Sequence, residues 1–154
     1  MPLWPTTIGP SEHGALESMR RQIEVYSTEL EELDRAYEEA SATDALRGYA
    51  WARRGDAYDA FAARMFYDVP AAYGEDLMRR RGMGTTPSSA VIMAEHMVRA
   101  MFLERTDRLW CMASERYTNA AHGSDATGAA RGREQLARYG AALIARCAAM
   151  RARR

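Results

Sequence analysis

The stretch ALESMRRQIEVYSTELEELDRAYEEA, residues 15–40, decides the fold. Along it Leu16, Met19, Ile23, Tyr26, Leu30, Leu33, Tyr37 and Ala40 recur at alternating spacings of three and four. A helix turns once in about 3.6 residues, so this rhythm draws one apolar seam down one side of a long helix. The positions between, among them Glu24, Glu29, Glu31, Glu32, Glu38 and Glu39, are acidic and suit water. So narrow a seam calls for cover by other helices or by a copy of itself. Ser11 offers an N-cap, and residues 1–10 hold three of the five prolines, which predicts an extended arm there with Trp4 as its anchor.

Working outward, Ser41-Ala42-Thr43-Asp44 supplies capping chemistry for a second helix from about Asp44 to Tyr67, ending before Pro70. That segment alternates alanine with large rings, Tyr49, Trp51, Tyr58, Phe61, Phe66 and Tyr67, which allows close helix approach. A short extra helix follows at about Tyr73 to Arg81, then a turn at Gly82-Met83-Gly84. Thr86 and Pro87 read as N-cap and first helical residue of a third helix reaching about Ala121. Its inner face carries Val91, Ala94, Val98, Met101, Phe102, Leu109, Met112, Tyr117 and Ala120. Ile92, Met93, Met97, Leu103 and Trp110 lie off that stripe, so the helix is apolar over more than half its circumference. Gly123-Ser124-Asp125 ends it and caps a fourth helix from about Ala126 to the end, with Leu136, Gly140, Leu143, Cys147 and Met150 along its seam. Gly128, Gly132 and Gly140 each weaken that helix by about 1 kcal/mol relative to alanine, and close backbone packing is the expected compensation. The expectation is an all-α, up-and-down four-helix bundle, with residues 1–10 an extended arm and 11–154 a single helical domain.

The chain's 154 residues suit one domain, and its 21 basic and 21 acidic residues cancel, so no global field selects nucleic acid, membrane or acidic substrate. All 21 basic residues are arginine and none is lysine. A GC-rich coding sequence explains this together with the abundant alanine; avoidance of lysine modification, as in a protein delivered into another cell, is the alternative. Cys111 and Cys147 both fall among apolar residues of helical pattern and read as two buried thiols in a reducing compartment. The N-terminus lacks a basic segment followed by an apolar run, and no stretch approaches the roughly 18 apolar residues of a membrane span. The protein is expected to be cytoplasmic.

Chemistry is sparse. The Glu-x-x-His pairs of a di-iron bundle are absent, because Pro10, Met93 and Asn119 stand three residues before His13, His96 and His122. No metal and no cofactor is expected. There is no Gly-x-Ser-x-Gly, and Gly82-Met83-Gly84 lacks the strand and lysine of a phosphate loop. Trp51, Gly55 and Tyr58 have the spacing of the first helix of a tetratricopeptide repeat, but no 34-residue period accompanies them.

Arg116-Tyr117-Thr118-Asn119-Ala120-Ala121-His122-Gly123 resembles the signature of HEPN domains, an arginine and a histidine separated by four to six residues. These are small helical bundles, many of them metal-independent ribonucleases acting as dimers. The resemblance implies that Arg116 serves the scissile phosphate and His122 proton transfer. Two compact arginine clusters, Arg79, Arg80, Arg81 and Arg151, Arg153, Arg154, are candidates for phosphate contacts. Met93, Met97, Leu103 and Trp110 are candidates for a partner face, since thioethers repack around different surfaces. The leading expectation is a non-enzymatic interaction or assembly protein, such as an adaptor, phage component or secreted factor, whose partner is itself, as a homodimer or higher, or another protein. A HEPN-like ribonuclease is the alternative, and a nucleic-acid binder using the arginine clusters is the second.

Overall fold

The computed structural model describes residues 9–42, 47–82 and 89–153. Residues 1–8 of the expected arm with Trp4, the Thr43-Asp44 cap, the Thr86-Pro87 start and Arg154 lie outside the described residues. At the arm's end the helix starts earlier than expected, with Gly9 rather than Ser11 as N-cap and Pro10 in the first turn, where a proline's missing N–H costs nothing. Helices fill almost all of the rest: α1 (Pro10–Ser41), α2 (Arg47–Ala63), a π-helical turn (Arg64–Asp68), α3 (Val69–Arg80), α4 (Ser89–Met101), α5 (Leu103–Ala121) and α6 (Ala126–Ala152). They assemble as four rods, α1, then α2 with α3, then α4 with α5, then α6, which run up, down, up and down.

Named pairs fix these directions. Glu12 and Ser18 near the start of α1 meet Arg81 and Arg80 at the end of α3, while Asp34 and Ser41 meet Arg54 in α2. Gly55 of α2 lies under the Tyr117 ring near the end of α5, and Phe66 meets Trp110 farther back along it. Asp56 and Asp59 of α2 meet Arg131 and Tyr139 of α6 in parallel order. The main core joins Ala15, Met19 and Ile23 of α1 to Tyr58, Phe61, Leu77, Val98, Leu109 and Tyr117. The first half of the α1 seam is therefore spent on α2 and α3.

Pro70 does not end the second rod, contrary to expectation. A proline normally breaks a helix because it has no N–H for the carbonyl four residues back and its ring strikes that carbonyl. Here the turn before it widens to π geometry, with the Val69 N–H bonded to the Arg64 carbonyl, and α3 starts with Pro70 in its first two positions. The Phe66 carbonyl that Pro70 cannot serve accepts instead from Arg99 Nε of α4 at 3.0 Å. The short helix expected at 73–81 thus begins earlier and continues the second rod.

The third rod, expected as one helix, is interrupted at Phe102 (φ −102°, ψ 7°). The Phe102 carbonyl accepts both the Thr106 N–H at 2.9 Å and the Thr106 hydroxyl at 2.8 Å, while the ring turns into the core. The break lets α4 lean onto α3, away from α5. The fourth rod also departs from a single straight helix. Gly140 sits at φ 73°, ψ 165°, a region in practice reserved for glycine, and nothing lies within 4 Å of where its Cβ would be. Close packing does explain Gly128 and Gly132, whose Cβ atoms would fall 2.2 Å from the Gly48 carbonyl carbon and 2.5 Å from the Tyr117 carbonyl oxygen. At Gly140 it does not; that residue makes a kink.

Candidate functional site

Among the described residues, four of the exposed large apolar side chains fall together on α4 and at the first residue of α5. Helix α4 packs mainly on α3, with Val91 and Val98 fully inside. Ile92, Met93, Met101 and, at the first residue of α5, Leu103 are 42, 64, 47 and 47% exposed. Met97 is half-buried between them. Met93, Met97 and Met101 are spaced by four, so they follow one another at about one helical turn on the same side. Both charged residues of α4 are turned toward the protein. Glu95 lies so flat on Gly74 that a Cβ there would be 2.7 Å from Glu95 Cγ. Arg99 stacks on the Phe66 ring at 5.2 Å while it serves the Phe66 carbonyl. The outward face is left with thioethers, an isoleucine and His96.

Trp110, predicted to share this face, does not. It is half-buried between Phe66, at 5.6 Å between centroids, and the cluster around Cys111. Met93 and Met97 stand one turn apart on α4 and Leu103 is exposed at the start of α5, while Trp110 is set into the interior edge of α5.

Arg116 and His122 stand apart. Helix α5 stays regular to Ala121, so the two residues are separated by about 9 Å of rise and about 120° of turn. Arg116 points onto an aromatic floor, 4.9 Å from the Tyr58 centroid and 5.9 Å from that of Trp51. Its side chain is only 17% exposed, and its buried Nε has no hydrogen-bond partner. His122 is an exposed C-cap residue whose Nδ1 lies 2.7 Å from the Thr118 carbonyl.

The arginine clusters are engaged within the protein. Arg79 and Arg80 both bind Asp76, Arg80 at 3.0 Å, and Arg80 also reaches Ser18. Arg81 binds Glu12, whose carboxyl is held below its usual range first by a backbone N–H at the start of α1 and then by that guanidinium. Arg151 stands 4.0 Å from Glu115, and Arg153 is exposed at the end of α6. Binding phosphate at Arg79, Arg80 and Arg81 would require exchanging these carboxylates.

Sequence reasoning treated the cysteines as separate thiols; the structure joins Cys111 of α5 to Cys147 of α6 in a disulfide, their Cα atoms 5.3 Å apart. Helical pattern placed each inside an apolar stripe but said nothing of which stripes face each other. Closing a loop across 36 residues stabilises by about 4 kcal/mol on the chain-entropy account. Two further arrangements escaped the sequence because their members are far apart in the chain. Asp34 of α1 accepts from Arg54 Nε at 2.8 Å and from the Tyr58 hydroxyl at 3.3 Å. Asp56 and Asp59 accept the Tyr117 and Tyr139 hydroxyls at 2.5 and 2.7 Å. Burial first, and these carboxylates second, push both phenols well above their ordinary range.

Among the described residues no group of three or more His, Cys, Asp or Glu is placed to hold a metal ion, and no helix is long and apolar enough to cross a membrane. Comparison with protein-family models, with curated proteins and with solved structures gives no match to this chain.

Proposed function

We propose that this chain is a helical interaction protein that pairs with a second copy of itself through the outer face of α4. The observation that carries the reading is the exposure of Ile92, Met93 and Met101 on α4, whose own Glu95 and Arg99 are turned inward, with Leu103 exposed just beyond its end. A twofold pairing sets each patch against its own copy, so a charged patch would meet like charge. A face of thioethers and isoleucine avoids that repulsion. Methionine also suits such a seam, because its unbranched chain fills gaps that branched residues leave. The α1 seam is the weaker candidate, since Ala15, Met19 and Ile23 are already buried in the protein's own core.

Sedimentation or light scattering across a wide concentration range tests this. The wild-type chain is expected to form a dimer, and a Met93→Glu/Met101→Glu variant to dissociate at least about tenfold more readily with its helical content intact, a charge at each exposed position having to be desolvated on pairing. A wild-type chain that stays monomeric at the highest concentrations defeats the reading. The ribonuclease reading draws no comparable support from the geometry, because Arg116 is occupied with Trp51 and Tyr58 while His122 lies beyond the end of the helix.

A further inference from the structure

The two halves of α6 are held in different ways. Before Gly140, residues 126–139 are locked into the bundle. Asp125 caps the helix, Gly128 and Gly132 sit against the backbones of α2 and α5, and Arg131 and Tyr139 bind Asp56 and Asp59. Gly128, Ala129, Gly132 and Gln135 are buried there. Beyond Gly140 only Leu143 and Cys147 are buried, and Ile144 is exposed. These two belong to a small cluster with Cys111, Trp110, Tyr139 and Met150, apart from the main core.

The distal half makes two ion pairs with α5: Arg146 reaches the buried Asp107 at 3.2 Å, and Arg151 stands 4.0 Å from Glu115 as an exposed pair. An exposed pair holds weakly in water. Both pairs, like the disulfide, tie the distal half to α5. An open cleft of about 420 Å³, lined by Ser114, Glu115, Thr118, Ile144 and Arg151, remains between the two. A helix of a dozen residues without its tertiary packing is marginal in water.

We infer that residues 141–152 form a redox-latched cover over α5, hinged at Gly140 and fastened by the Cys111–Cys147 disulfide. The inference is independent of the pairing through α4. Both cysteines are buried, and Cys147 lines the open cleft beside α5. A dithiol reductant attacks one sulfur of the pair, and the S–S bond breaks with the other cysteine leaving as thiolate. The reductant's second thiol then resolves the mixed disulfide. The protein gains two electrons and two protons as two thiols, and the reductant becomes a disulfide. With the latch open, the cover is held by Leu143, Met150, the Arg146–Asp107 pair and one exposed ion pair, and it lifts from the side of α5 that carries Trp110, Cys111 and Ser114.

Hydrogen exchange followed by mass spectrometry on the whole chain, with and without a dithiol, reads this directly. Reduction is expected to speed exchange of the amides of 141–152 by at least about tenfold while 126–139 and the core helices keep their protection, the signature of a local opening. The Cys111→Ser/Cys147→Ser variant should exchange like the reduced wild type without any reductant. Equal protection of 141–152 in both redox states overturns the inference, as does uniform loss of protection across all helices. Recovery of two free thiols from protein prepared under oxidising conditions overturns it as well.

Discussion

Asp125 closes two helix starts with one carboxylate. Its Oδ2 accepts the Gly128 N–H at 3.2 Å, the ordinary N-cap bond of α6, and its Oδ1 accepts the Gly48 N–H at 2.6 Å in the first turn of α2. Both are N–H groups that a helix start leaves without an internal partner. Loss of an N-cap side chain costs about 1 kcal/mol, so Asp125→Ala is expected to destabilise the fold by about 2 kcal/mol in urea unfolding, with Asp125→Asn retaining much of it. A loss no larger than that of an ordinary surface substitution would show that the α2 contact contributes nothing. The first of these roles was legible, because the residue stands just before an apolar pattern begins. The second was not, since it spans 77 residues of sequence. The same limit hid Arg99, whose service to the Phe66 carbonyl is what lets a helix run through Pro70. Arg116 and His122 show the reverse case: a local spacing pairs them in the sequence, and the helix, by remaining regular, sets them about 9 Å apart along its axis.

Elements were legible where periodicity was long and breakers were plain. The seam of α1 and the Gly123 to Asp125 break before α6 follow from spacing and caps alone. The interruption at Phe102 carries neither glycine nor proline, and it arises from tertiary packing, a ring drawn into the core and a carbonyl shared by two donors from Thr106. The crossing of α2 with α6 depends on glycines for a reason that helix propensity reverses. Alanine in place of Gly128 should favour the helix by about 1 kcal/mol on propensity alone. Its Cβ, however, would stand 2.2 Å from both the Gly48 carbonyl carbon and the Tyr49 nitrogen, backbone atoms that cannot rotate away. Gly128→Ala is therefore expected to lower stability by about 1 to 3 kcal/mol, the usual range for overpacking. Thermal and urea unfolding decide the sign, and a stabilised variant would mean that α2 and α6 approach less closely than described.

For the whole molecule, the all-α bundle was legible because four amphipathic segments of this length can cover one another's seams. The exposed face on α4 was legible in part: an excess of apolar residues on the third rod was evident, while the kink that sends α4 onto α3 and Trp110 inward was not. What spacing cannot show is how the rods exchange protons and charge. Tyr58, Tyr73, Tyr117 and Tyr139 come from all but the first rod, and burial raises the pKa of each, with Asp56 and Asp59 adding to it at Tyr117 and Tyr139. A phenol whose folded pKa lies above its unfolded value of about 10 contributes fully below that value and progressively less as pH rises past it, because the unfolded chain then loses a proton that the folded chain keeps. Each retained proton lowers stability by about 1.4 kcal/mol per pH unit once the unfolded phenol is ionised, so Tyr117 and Tyr139 together should give a fall approaching 3 kcal/mol per unit by about pH 11, to which Tyr58 and Tyr73 add. Urea unfolding between about pH 9 and pH 12 measures this slope, and the Tyr117→Phe and Tyr139→Phe variants should each remove up to about 1.4 kcal/mol per unit from it. A slope of zero above pH 10 would mean that both phenols ionise as readily in the folded chain as in water, which their burial against Asp56 and Asp59 forbids.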